Sequence, residues 1–387
     1  MIFSLRRSIS LTGLKAFAIS ALMLVTTHVQ PIQAIEMEFA APGFSFKPKE
    51  VLIPNDKNDQ DQLVVAAPLV ISDGRIFVAD TNNTLFEYGK DLELVKQWSL
   101  PGGSLSPPVM IDDEQLFIAG LKNLAILNVR THKYSLRKAL PPQAVVAASP
   151  SVYKNPDGEI KILLPSGDKR VYVLSTDLEV LDSIAVNALM NRSAVILDGK
   201  RFVVHAINGR LWFCNFDGSG FCRELGGNAQ TAPILFNNKI YSFMENGVLN
   251  IHEISGAESK TIYWRYRFLA TPIHVGSHLR VYDESAGVLE IDEAGNFLEL
   301  NRDRSHDPRI PQIQMLSRMQ VHAGAQIHGT IMNDGYVRIY DAESGKMVGF
   351  FNADNRITSD ILAAGNSIVF AVCKADRCGL VKVTVEK

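Results

Sequence analysis

The chain has 387 residues, 47% of them hydrophobic and 21% charged, with a formal net charge of -2 and four cysteines. That is enough apolar material for a large core and too little charge for an extended disordered chain. The balance also gives no electrostatic reason to bind nucleic acid, because phosphate binding relies on clustered cations.

The first 34 residues read as a secretory signal peptide. Arg6, Arg7 and Lys15 precede the apolar run Ala16 to Val25, and Pro31-Ile32-Gln33-Ala34 offers a small residue for cleavage. The run is shorter than the roughly 20 residues of a membrane-spanning helix. No cysteine follows it to carry a lipid, so a cleaved, soluble, monomeric chain is expected, periplasmic or secreted. Cleavage would remove three cations and no acids, taking the formal charge from -2 to -5 (-2 minus 3).

Residues 35–63 read as an N-terminal segment and linker with one β-like stretch, Phe44 to Ile53. Asn55 to Asp61 offers side-chain oxygens but lacks the Gly and closing Glu of a calcium loop, and reads as a solvated linker.

From residue 64 the sequence repeats. A small or polar residue followed by Pro or Ala opens each unit at Ala67-Pro68, Pro107-Pro108, Ser149-Pro150, Ser193-Ala194, Ala232-Pro233 and Thr271-Pro272, spaced by 40, 42, 44, 39 and 39 residues. Two further units start near Gln320 and Asp360. Within a unit, alternating apolar strands flank turn signals such as Asn208-Gly209, Asn246-Gly247 and Asp334-Gly335. Such dipeptides mark tight hairpins, since those turns need positive φ. No stretch after the signal keeps helical spacing. The fold class is therefore all-β: an eight-bladed propeller over 64–387 of four-stranded antiparallel blades, with seven blades as the alternative. The last unit ends after its third strand, so Phe44 to Ile53 is expected to supply the missing outer strand and close the ring. Pro48 is tolerable on such an edge.

The cysteines fall in hairpins. Cys214 and Cys222 stand opposite each other around Asp217 to Ser219, and Cys373 and Cys378 around Ala375-Asp376. Opposed positions in a non-hydrogen-bonded pair come within disulfide reach, and export favours oxidation. Zinc and redox motifs with two intervening residues are absent.

At Tyr340-Asp-Ala-Glu-Ser-Gly-Lys-Met-Val348 the chain resembles the repeat of PQQ-type propellers, with weaker copies at Ile291 to Phe297 and Asn215 to Phe221. Among these, its size and architecture are most similar to BamB-like outer-membrane assembly factors, which are non-enzymatic periplasmic scaffolds, typically lipid-anchored. The resemblance implies a scaffold for protein–protein interaction without a cofactor. The related quinoprotein dehydrogenases hold their quinone between a Trp and a disulfide of adjacent cysteines. No two cysteines are adjacent here, and Trp98, Trp212 and Trp264 read as core between blades. A carbohydrate-binding propeller is a further alternative. Ser305-His306-Asp307 is not a triad, because triad members converge from separate parts of a fold. Arg309-Ile-Pro311 resembles a sialidase motif without that family's repeated boxes.

Blade-joining segments share one face with the turns between second and third strands, and loops on rigid scaffolds tend to carry binding. The joining segment Asn301 to Gln314 is lengthened and carries Arg302, Arg304, His306 and Arg309; others add Arg192, Arg267, Arg318 and Arg356. These residues are expected to dock a protein or peptide, against a bland reading in which the arginines pair with Asp283, Glu284 and Asp334. Ser106, Ser149, Thr231, Thr271 and Thr358 are expected near the central channel.

Overall fold

The hairpin signals are realised in the computed structural model. Gly209 and Gly247 adopt φ of 76° and 79°, which glycine reaches without steric penalty. Across them Arg201–His205 pairs with Arg210–Asn215, and Lys239–Phe243 with Val248–Glu253, both antiparallel. The structure describes residues 37–54, 68–100, 103–104, 106–121, 123–155, 157–217, 222–229, 231–244, 246–265, 267–268, 271–283, 287–302, 317–323, 327–332, 336–353, 357, 359, 361–374 and 377–386. The expected signal, residues 1–34, and the Asn55 to Asp61 linker lie outside them. Residues 35–387 form one compact unit.

The described strands make eight antiparallel sheets, seven of four strands and one of five. Sheets one to six span 69–99, 109–139, 151–185, 195–227, 234–263 and 273–302, each a meander in chain order. Sheets seven and eight are built on 317–352 and 362–386. First strands of neighbouring sheets approach one another, those of sheets eight and one included, so they form the inner ring of a β-propeller.

Packing follows from strand alternation: each strand sends successive side chains to the two neighbouring sheets. The buried apolar residues fall accordingly into eight clusters, one between each pair of adjacent sheets. The last of them joins sheet eight to sheet one, through Val369, Ala371, Cys378 and Leu380 against Ile76, Val78, Phe86 and Tyr88. Polar clasps repeat the pattern. Arg75 reaches the fully buried Glu87 at 2.7 Å and donates to the Val129 carbonyl of sheet two at 2.9 Å. Arg280 bonds Glu290 and the Ala342 carbonyl of sheet seven. Val129 and Ala342 are equivalent, each the first residue past a third strand.

Ser45–Leu52 lies antiparallel on Arg377–Glu386, from Ser45 opposite Glu386 to Leu52 opposite Gly379, and is the outer strand of sheet eight. Pro48 thus occupies an edge strand, where a missing donor is tolerated. The expectation of four strands in every unit needs correction at sheet seven. Met37–Ala40 pairs with Met347–Asn352 there as a fifth strand. The chain then turns through Gly43, φ 86°, with the Phe44 amide donating to the Ala41 carbonyl at 3.1 Å, and enters sheet eight. One segment therefore covers two neighbouring sheet edges that would otherwise stand bare.

Candidate docking face and cleft

The joining segments and the turns between second and third strands meet on one face because their backbones hydrogen-bond. Leu121 donates to the Gly103 carbonyl, Gly167 to Val145 and Ile207 to Leu189, at 2.9, 2.7 and 2.8 Å. Isolated bridges one residue further in pin the same junctions: Val146 with Ser166, Met190 with Ala206, Ala229 with Met244, Phe268 with Asp283 and Ile357 with Val372. At these described junctions the loops of this face are held to one another by backbone hydrogen bonds.

Arg192 and Arg267 stand exposed on it, in the segments entering sheets four and six. Arg302 ends the last strand of sheet six and Arg318 belongs to the first strand of sheet seven. The side chains of those two, together with Arg304, His306, Arg309 and Arg356 and most of the Asn301 to Gln314 loop, lie outside what is described. Asp283, weighed as a rim partner for arginines, is buried and accepts the indole N–H of Trp264 at 3.0 Å. Among the hydroxyls expected near the channel, Ser106 and Thr231 are buried, while Ser149 and Thr271 are half-buried. Thr358 lies outside the described residues.

Sequence reasoning missed the apolar part of this face. Leu121, Val145, Leu189 and Ile207 are 38%, 57%, 46% and 63% exposed and occupy equivalent junctions of sheets two, three and four. For Leu121 and Ile207 the signal is an apolar residue at a hairpin tip, as in Ala206-Ile207-Asn208-Gly209, where a polar one is the rule; Val145 and Leu189 stand in the joining segments opposite such tips.

Under this row lies His205, at the end of the second strand of sheet four. Its Nε2 is 3.0 Å from the Ala229 carbonyl and its Nδ1 is 3.0 Å from Asn191 Oδ1; both oxygens only accept, so a neutral ring donates to one of them and only a protonated ring to both. Burial pushes this histidine below its usual pKa, partly opposed by the bond to Ala229 and reinforced by the Arg192 charge. The ring lies between the segment entering sheet four, through Asn191, and the one entering sheet five, through Ala229.

Beside it opens a cleft of about 490 Å³, lined by Gly227, Asn228, Met244, Asn246, Val248, Asn250 and Arg267. The two disulfides, Cys214–Cys222 and Cys373–Cys378, have Cα separations of 4.4 and 4.0 Å. The second closes a second-to-third turn on the docking face; the first closes a third-to-fourth turn, which emerges on the other side.

No protein-family model and no curated protein sequence matches the chain. Solved structures do. BamB from Moraxella catarrhalis is similar at 12% identity, covering 86% of this chain and 98% of that one with a TM-score of 0.58. The computationally designed protein Ika8 is similar at 13% identity, with coverages of 83% and 96% and a TM-score of 0.61. The β-propeller domain of Cps50 (Swd1) from Myceliophteria thermophila is similar at 10%, with coverages of 69% and 92% and a TM-score of 0.50. At such identities the likeness shows the fold, a β-propeller.

Proposed function

We propose that the chain is a non-catalytic scaffold of the cell envelope, docking a protein partner on the face described above. The observation that carries this reading is the row Leu121, Val145, Leu189 and Ile207, exposed at equivalent junctions of three successive sheets, with Arg192 exposed in the same segment as Leu189 and Arg267 exposed further round the same face. Apolar surface rimmed by charge on a rigid support is what interfaces use, with a few central residues carrying most of the energy. The arginines select a partner presenting carboxylates around an apolar centre. Two disulfides fit an oxidising compartment. The repeat's resemblance to outer-membrane assembly factors supports an envelope-assembly role as the class of process.

A photo-crosslinking residue at Ile207, expressed in the intact envelope, tests this. The reading requires a discrete protein adduct at Ile207, none from the outer-strand control Leu298, and loss of the adduct in Leu189→Glu. Equal adducts from Ile207 and Leu298 would refute it. Adding PQQ and calcium and following dye reduction by alcohols or sugars tests the non-catalytic part; turnover would replace it with a dehydrogenase reading.

A further inference from the structure

The cleft between sheets four and five adjoins a position where the outer strand lacks a side chain. In sheets one, three, five and seven the fourth strand turns Trp98, Ile184, Ile262 and Phe351 toward the next sheet, opposite Leu85, Val171, Leu249 and Val337. The equivalent position in sheet four is Gly226, opposite Leu211. A Cβ built there meets nothing within 4 Å, and its φ of 109° excludes ordinary side chains. Beside it, lined by the next residue Gly227, lies the cavity of about 490 Å³, within the range of roughly 300 to 1,000 Å³ typical of small-molecule sites.

Its lining has a consistent chemistry. Val248 packs into the cluster between sheets four and five, so Asn250, two residues on, faces sheet four as well. Met244 and Val248 give an apolar floor; Asn228, Asn246 and Asn250 contribute carboxamides and Arg267 a guanidinium, with no carboxylate among the described lining residues. The Asn250 Oδ1 accepts from the Thr261 hydroxyl at 3.1 Å, which fixes its orientation. Tyr263 pairs with Val248, shares its side of the sheet and is 79% exposed at the rim.

We infer that this cleft binds a hexuronate, a sugar ring bearing a carboxylate. Vicinal hydroxyls both donate and accept, as carboxamides do, so three of these around one ring satisfy it without charge. The guanidinium is matched to the carboxylate, and the exposed tyrosine ring offers an apolar surface to the sugar's C–H face. Among the described lining residues the one charge is the Arg267 guanidinium, which disfavours a cation. The inference shares Arg267 with the docking reading but not its apolar row, which belongs to sheets two to four.

The test is isothermal titration of the purified protein with glucuronate, glucose and acetate. Glucuronate should bind, with glucose and acetate each weaker by about tenfold or more. Arg267→Met should weaken glucuronate by about tenfold while leaving glucose unchanged. Asn246→Ala, in an exposed turn, should weaken both sugars. Absence of glucuronate binding overturns the inference, as does acetate binding as tightly as glucuronate, or glucuronate affinity unaffected by both substitutions. Loss of the Ile207 adduct with glucuronate binding intact would remove only the docking reading.

Discussion

His205 is the residue whose protonation the fold resists most visibly. Burial, reinforced by Arg192 and partly offset by the bond to the Ala229 carbonyl, lowers its pKa in the folded state. The unfolded chain takes up the proton at the ordinary value of about 6.5. Between the lowered value and about 6.5 the unfolded state therefore holds more protons, and stability rises with pH across that window. The contribution is complete above about 6.5 and is lost as pH falls toward the folded value. The urea midpoint should drop between about pH 7 and pH 5, and His205→Gln, which keeps an amide for the Ala229 carbonyl, should drop less. Equal drops in both proteins would show that the ring does not carry this dependence. Because His205 ties down the segments bearing Leu189 and Asn228, the Ile207 adduct should weaken over the same window.

At the scale of elements, the covalent and hydrogen-bonded closures make separable predictions. Cys373 and Cys378 bridge a separation of five residues, so their bond removes little loop entropy from the unfolded chain. Replacing both by Ala should cost near the low end of the roughly 2 to 4 kcal/mol typical of disulfides, read as a lower urea midpoint at unchanged slope. A slope change would indicate that the turn organises more than itself. Removing residues 1–43 takes away the fifth strand of sheet seven and leaves an ordinary four-stranded blade. Removing residues 1–54 also strips Ser45–Leu52 from Arg377–Glu386 and takes Ile53 from the sheet eight and sheet one cluster. Gel filtration should show the first truncation monomeric and the second aggregated, because a long bare edge recruits other chains. If both behave alike, the outer strand is dispensable. The blades themselves were legible because Asn208-Gly209 and Asn246-Gly247 are local turn chemistry recurring at a fixed spacing. The cysteine pairs were legible because their hairpins set them opposite. Met37–Ala40 left no such trace: four residues that join a distant edge carry no period of their own. The docking row and the cleft were missed for the same reason. Their meaning depends on which junctions adjoin across the ring, and Gly226 is informative only once its counterparts Trp98 and Phe351 are aligned with it by strand register.

On the scale of the whole molecule, closure decides how disturbances spread. In an open array each unit touches only its neighbours, and damage at one end stays near that end. Here no sheet is terminal, since sheet eight combines both ends of the chain and packs on sheet one. Leu380 is fully buried in that seam. Leu380→Ala should cost about 2 to 5 kcal/mol through lost burial and a residual cavity. Trp98, Trp212 and Trp264 belong to sheets one, four and five, so variants keeping one tryptophan each report on near and far parts of the ring. If the ring unfolds as one cooperative unit, Leu380→Ala lowers the urea midpoint equally for all three. In an open array Trp98, next to the weakened seam, would lose its signal first while Trp264, at the far side, kept its midpoint. That outcome would show that the seam between the first and last sheets does not hold in solution.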